Sequence, residues 1–169
     1  MCFVGLSVPA LVVFGAVAVA LEGANKSMAA IGGLLGVVSE VIALALGSSP
    51  ESLHGGLVVL SNSCTATRTA ADLAGLVSAA DALVAATNAV SWAGILTAAG
   101  ILILSLVARA GHLGRLVAGL GVLTGIIGIL SEVLRPMIGP AYMVYGLLLP
   151  AWFALVGWNL LRLGRRDTA

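Results

Sequence analysis

The sequence predicts an all-α fold: an integral membrane bundle of five transmembrane helices plus one extracytoplasmic amphipathic helix, forming a single membrane domain over residues 1–169. Two observations carry this. Only 9% of the residues are charged and 60% are hydrophobic, whereas a soluble domain carries about 25% charged residues to wet its surface. Five apolar stretches also approach the ~20 residues that a helix needs to cross a hydrocarbon core of about 30 Å. They lie at about 1–21, 28–47, 92–108, 115–134 and 141–161.

The first stretch competes with a signal peptide, because small residues such as Ala16, Ala18 and Ala20 follow its apolar run. It lacks the positively charged start of such peptides, and its apolar run exceeds their usual 7–15 residues, so it reads as a span. Ser48, Ser49 and Pro50 end the second stretch. The segment 48–91 is the one long non-spanning piece. Within it Thr69-Ala-Ala-Asp72 is a capping-box pattern that opens a helix over about 69–90. Leu73, Leu76, Val77, Ala80, Leu83 and Val84 recur at helical spacing, with Ser78, Asp81 and Asn88 on the opposite face. That helix is too polar to span; it lies on the membrane surface, folds over the bundle or runs on into the third span. In the fifth span Pro150 removes a helix hydrogen bond and predicts a kink.

Basic residues set the orientation, since short cytoplasmic loops hold an excess of Lys and Arg. With the C-terminus inside, the inner side collects Lys26, Arg109, Arg115, Arg162, Arg165 and Arg166, and the outer side keeps Arg68 and Arg135. Five spans then place the N-terminus outside. Trp92, Tyr142 and Tyr145 fall near outer ends and Trp158 near an inner end, as interfacial aromatics do. Cys2 and Cys64 fall on the outer side, where a disulfide can persist.

Several function classes drop out. A net charge of +1, without basic clusters interleaved with aromatics, argues against a nucleic-acid partner. Two cysteines form no disulfide framework and lack metal-ligand spacing. No phosphate-binding glycine loop or nucleophile elbow is present, and no motif calls for a cofactor. His54 and His112 are expected in loops on opposite sides of the membrane, too far apart to bracket a haem. No serine, histidine and acid meet at one depth, so no residue reads as catalytic.

A repeat is the most informative feature. Residues 33–41 read GLLGVVSEV and residues 125–133 read GIIGILSEV, matching Gly33 with Gly125, Gly36 with Gly128, Ser39 with Ser131 and Glu40 with Glu132. Chance similarity between two apolar helices and a true duplication both account for the match; as a duplication, with both stretches running from inside to outside, the repeat is parallel, with hairpins 1–2 and 3–4 as its units. Gly32-x-x-x-Gly36 and Gly121-x-x-x-Gly125 each clear a helix face for close approach. Packing within one chain is the reading favoured over a homo-oligomer.

A carboxylate in lipid costs at least ~2.5 kcal/mol, so each glutamate must face the bundle interior, find a partner or take up a proton. Glu132 has a ready partner in Arg135, one turn along the same face. Glu40 lies roughly 10 Å below the outer end of its helix, counting ~1.5 Å per residue. Ser7, Thr97 and Tyr145 reach similar depth on spans 1, 3 and 5. Glu40, Glu132, Arg135, Thr97, Tyr145 and Ser7 therefore form the candidate ligand-binding cluster. The chemistry suits a cation, a proton or a small cationic ligand, and it equally suits hydrogen bonding that fixes helix register.

The stretches TAADLAGLVSAADALVAATN, ILILSLVARAGHLGRLVAGLGVLTGIIG and YGLLLPAWFALVGWNLLRLG, within about residues 61–166, resemble a domain-of-unknown-function family of small multi-spanning bacterial membrane proteins. The resemblance implies a bacterial inner membrane and assigns no catalytic residue. The expected function is a non-enzymatic accessory or interaction component of that membrane, with the bilayer and other membrane proteins as partners. The alternative is a small transporter or ligand-binding protein that uses Glu40 and Glu132.

Overall fold

The computed structural model describes residues 4–45, 53–66, 69–110, 113–138 and 141–166, which are helical apart from short turns. In chain order the helices are α1 (Val4–Ala20), α2 (Glu22–Ala45), α3 (Leu53–Ala66), α4 (Ala70–Ser91), α5 (Ala93–Ala108), α6 (Arg115–Val133), the single turn α7 (Arg135–Ile138) and α8 (Tyr142–Arg166). Five of them form a closed circuit. α1 packs on α2, α2 on α5, α5 on α6 and α6 on α8, and α8 returns to α1.

Three of the expected spans, within Glu22–Leu44, Arg115–Val133 and Tyr142–Arg165, are long and apolar enough to cross a membrane. The other two are apolar but shorter, with 17 residues in α1 and 16 in α5. At ~1.5 Å per residue each reaches only about 25 Å. The shortfall in α5 is eased at its start. Trp92 keeps helical backbone angles (φ −57°, ψ −18°) between α4 and α5, so the chain passes from one into the other without leaving the helical region.

Local chemistry explains the other boundaries. Asn25 breaks α2 with extended angles (φ −160°, ψ 97°), and its side-chain oxygen accepts the Met28 backbone N–H at 3.1 Å. This is an N-cap, and it starts the apolar part of α2. The Glu22–Lys26 ion pair beside it, at 2.8 Å, is too exposed to add appreciable stability. α8 runs through Pro150. Gly114 takes a left-handed angle (φ 87°), and the chain turns there into α6.

The segment between the second and third spans departs from expectation, because it holds two helices rather than one. Residues 53–66 form α3, a stretch whose two glycines and run of Ser, Asn, Ser, Cys and Thr give weak intrinsic helix propensity. Packing supplies what propensity lacks. Gly55 is buried, and Gly56 lets Leu83 of α4 approach so closely that a methyl group at 56 would lie 3.0 Å from it. α4 opens on the capping box: the Thr69 hydroxyl bonds to the Asp72 carboxylate and accepts the Asp72 N–H at 3.4 Å. The apolar face expected on α4 is split. Leu76, Ala80 and Leu83 are half-buried, while Leu73, Val77 and Val84 are exposed. α4's main packing partner is α3 rather than the bundle. His54 falls in α3 instead of a loop; Cys2, Arg68 and His112 lie outside the described residues.

The bundle interior divides by polarity. At the end where α1 meets α2 and α5 leads to α6, the core is apolar and includes Leu21, Ala29, Val107, Leu113 and Val117. At mid-depth Phe14 and Trp152 are almost completely buried, with ring centroids 6.1 Å apart, and Phe153 meets Phe14 edge-on at 5.5 Å. The opposite end, from which α3 and α4 depart, is polar.

Candidate functional site

Glycines bring the helices together below that polar end. A methyl group at Gly33 would lie 2.6 Å from Ala18 Cβ and 3.6 Å from the Phe14 carbonyl oxygen. One at Gly125 would lie 2.7 Å from Leu102 Cβ and 2.9 Å from the Ala98 carbonyl oxygen. Phe14 and Ala18 are one helical turn apart on α1, as Ala98 and Leu102 are on α5. The two repeat segments thus pack against the preceding helix in the same way, and α1–α2 and α5–α6 are equivalent hairpins. Both glycine motifs pack against neighbouring helices of the same chain.

About two turns beyond each of these glycines stands the repeated glutamate. Glu40 is 7% exposed, and the Ser7 hydroxyl of α1 donates a hydrogen bond to its carboxylate. Glu132 is half-buried and accepts a 2.6 Å hydrogen bond from the Tyr142 hydroxyl of α8. Its carboxylate rests on the bare backbone of Gly94 in α5, where any side chain would collide with it. The neighbouring serine of the first repeat bridges α2 to α5: Ser39 Oγ donates to the Ala93 carbonyl at 2.8 Å and also bonds the Thr97 hydroxyl. Ser131, its counterpart, is buried as well.

Tyr145 stands between the two acids. It is 4% exposed, its ring lies against Gly128, and Tyr142 meets it edge-on at 5.9 Å. Its phenol lies within electrostatic reach of Glu132, Tyr142 and Glu40. The structure therefore gathers Ser7, Glu40, Thr97, Glu132 and Tyr145 at one end of the bundle, although Thr97 joins through Ser39 rather than touching a carboxylate. The Arg135 side chain lies outside the described residues, and with it the expected Glu132–Arg135 pair.

Sequence reasoning missed three members. Tyr142 looked like an interfacial anchor, yet its hydroxyl turns inward to Glu132. Its position three residues before Tyr145, on the same helix face, was the available signal. Ser39 was visible as a repeated residue, but its bond to the Ala93 carbonyl is a tertiary fact. Gly94 carries no local signal at all, since only the approach of Glu132 gives it a role. A further polar pair lies deeper: Ser105 Oγ and Trp152 Nε1, both against the bare face of Gly121, are buried without a hydrogen-bond partner among the described residues.

Chemically, the cluster offers two carboxylates, three aliphatic hydroxyls and two phenols in a low-dielectric setting. Oxygen donors of this kind suit a proton or a hard cation. Among the described residues no three of His, Cys, Asp and Glu stand close enough to hold a metal ion by themselves. No family model, curated protein or solved structure matches this chain.

Proposed function

We propose that this chain is a five-span integral protein of a bacterial inner membrane, with its N-terminus outside and its C-terminus in the cytoplasm, serving as a non-enzymatic accessory or interaction component. The observation that carries the reading is the distribution of polarity in the bundle. Among the described residues seven polar or charged ones, including Glu40, Ser39 and Thr124, are buried, while large apolar side chains such as Val12, Val19, Leu34, Leu116, Leu147 and Leu161 are exposed. In water that surface would aggregate; in hydrocarbon it is the low-energy arrangement. Each carboxylate has a hydroxyl partner from a neighbouring helix, so the cluster ties α2 to α1 and α6 to α8. The inner face carries Lys26, Arg109, Arg115, Arg162 and Arg165, in keeping with the positive-inside bias.

The orientation has a direct test. Single cysteines at Ser63 and Thr168, in a background lacking Cys2 and Cys64, will differ toward an impermeant thiol reagent on intact cells. Position 63 will label and position 168 will not. The reverse pattern inverts the topology.

A second reading is favoured by one specific observation, the convergence of Glu40 and Glu132 from the two repeat halves on Tyr145. It makes the chain a small transporter or ligand-binding protein for a proton or cation. The isosteric changes Glu40→Gln and Glu132→Gln separate the two. Under the accessory reading both variants keep their melting temperature to within a few degrees and still copurify with the partners identified by mass in mild detergent. Under the transport reading, cation- or proton-dependent uptake into liposomes is present in the wild type and lost in Glu40→Gln. Tyr142→Phe, which deletes the 2.6 Å bond to Glu132, is expected to cost about 0.6 kcal/mol, the average for hydrogen bonds between membrane helices, and no more than about 1.7 kcal/mol.

A further inference from the structure

The end of the bundle opposite the carboxylates holds a different kind of site. Where α5 hands over to α6, a cavity of about 220 Å³ opens to the surface, lined by Arg109, Arg115, Ala118 and Gly119. Arg109 is the C-cap residue of α5 and Arg115 the first residue of α6, and both line the one opening. Neither arginine side chain forms an ion pair or hydrogen bond among the described residues. The third side of the cavity is the first turn of α6. Gly114 precedes that 19-residue helix without a side-chain cap, so the first backbone N–H groups of α6 have no capping side chain. Gly119 leaves space as well, for a methyl group there would meet nothing within 4 Å.

We propose that this cavity binds a phosphate group, held between Arg109 and Arg115. Planar guanidinium forks match phosphate oxygens, and the positive end of α6 adds to the same field. The negative end of α5 opposes it, but a half-charge is outweighed by two full ones. Two sources carry this chemistry, the headgroup of an anionic phospholipid and a soluble phosphate ester. The position of the site at the end of two apolar helices, on the face richest in arginine, puts it at headgroup level if the chain spans a membrane. Basic pockets between membrane helices on that side bind anionic headgroups. The lipid source therefore rests on the membrane reading above, and the phosphate site itself does not.

The test uses the full chain in nonionic detergent, with thermal stability read as phosphatidylglycerol, phosphatidylcholine or inorganic phosphate is added. Phosphatidylglycerol is expected to raise Tm by about 5–10 °C at concentrations on the order of 100 Kd, and phosphatidylcholine to leave it unchanged. The double variant Arg109→Gln/Arg115→Gln will lose the shift. So will Gly119→Leu, which keeps both charges and fills the cavity from a position where the fold has room. Arg162→Gln, on the same face but stacked on Trp158, will keep it. A shift from inorganic phosphate alone, lost in the same two variants, upholds the site and assigns it to a soluble ester. A response retained in both variants, equal stabilisation by phosphatidylcholine, or no response to either phosphatidylglycerol or phosphate overturns the proposal. Release of the chain from membranes by alkaline carbonate would instead count against the membrane reading, with the phosphate arm still reporting on the site.

Discussion

Replacing Gly100 with leucine will drive α2 and α5 apart and destroy the bundle. A Cβ at position 100 would lie 2.8 Å from the Gly32 carbonyl oxygen and 2.9 Å from the Gly36 backbone nitrogen. Both are main-chain atoms of α2, so no rotamer change relieves the clash; one whole helix must shift. The loss spreads because α2 is the helix that carries Ser39 and Glu40. Moving it breaks the Ser39–Ala93 bond at 2.8 Å and withdraws Glu40 from Ser7. Overpacked cores lose about 1–3 kcal/mol even where side chains can adjust, and Gly100→Leu is expected at or above the top of that range. Loss of a monodisperse, cooperatively melting species in detergent is the readout. Gly119→Ala is the control: with nothing within 4 Å of the added methyl, it gains about 0.5–1 kcal/mol from helix propensity. Gly100→Leu melting within a degree of wild type would show that the two backbones do not approach as described.

Trp152 is the second large expectation, and its variants separate packing from hydrogen bonding. The side chain is 1% exposed and meets Phe14 at 6.1 Å and Phe153 at 5.3 Å between ring centroids. Truncation to alanine leaves a cavity that the ring of five helices cannot close, at a cost of about 3–5 kcal/mol. Phenylalanine keeps an aromatic face against Phe14 and removes the indole N–H, which is buried without a partner among the described residues. An orphaned buried donor costs about 1–3 kcal/mol, so its removal offsets much of the lost volume. Trp152→Phe is therefore expected to be far milder than Trp152→Ala, and Ser105→Ala, which deletes the neighbouring orphaned hydroxyl, neutral or stabilising. Chemical denaturation or thermal melting in detergent ranks the three. Equal losses for the alanine and phenylalanine variants would mean that the N–H, not the ring, holds Trp152 in place.

By itself the sequence determined the helical class and the positions of the five apolar segments, three of which are long and apolar enough to cross a membrane. Those follow from sums over many residues: 9% charge cannot wet a globule, and runs near twenty apolar residues have one low-energy conformation in hydrocarbon. The capping box at Thr69 and Asp72 was legible for a related reason, since its partners are three residues apart. The repeat was legible as text, and it pointed to Glu40 and Glu132 before any geometry was known. Tertiary structure decided the rest. α3 forms because Leu83 packs on Gly56, a contact between segments with no shared local signal. Tyr142 turns inward because Glu132 is there to accept its hydrogen bond, whereas an aromatic at a helix end reads locally as an interfacial anchor. Gly33 and Gly125 revealed equivalent hairpins only through the backbone carbonyls of Phe14 and Ala98 opposite them. Arg109 and Arg115 look in sequence like two entries in a charge count, and only the turn at Gly114 makes them two walls of one cavity. Composition and periodicity report what each residue prefers as solvent, and so they place segments. Which side chain meets which is set by helix rotation and close approach, and these depend on pairs of residues far apart in the chain.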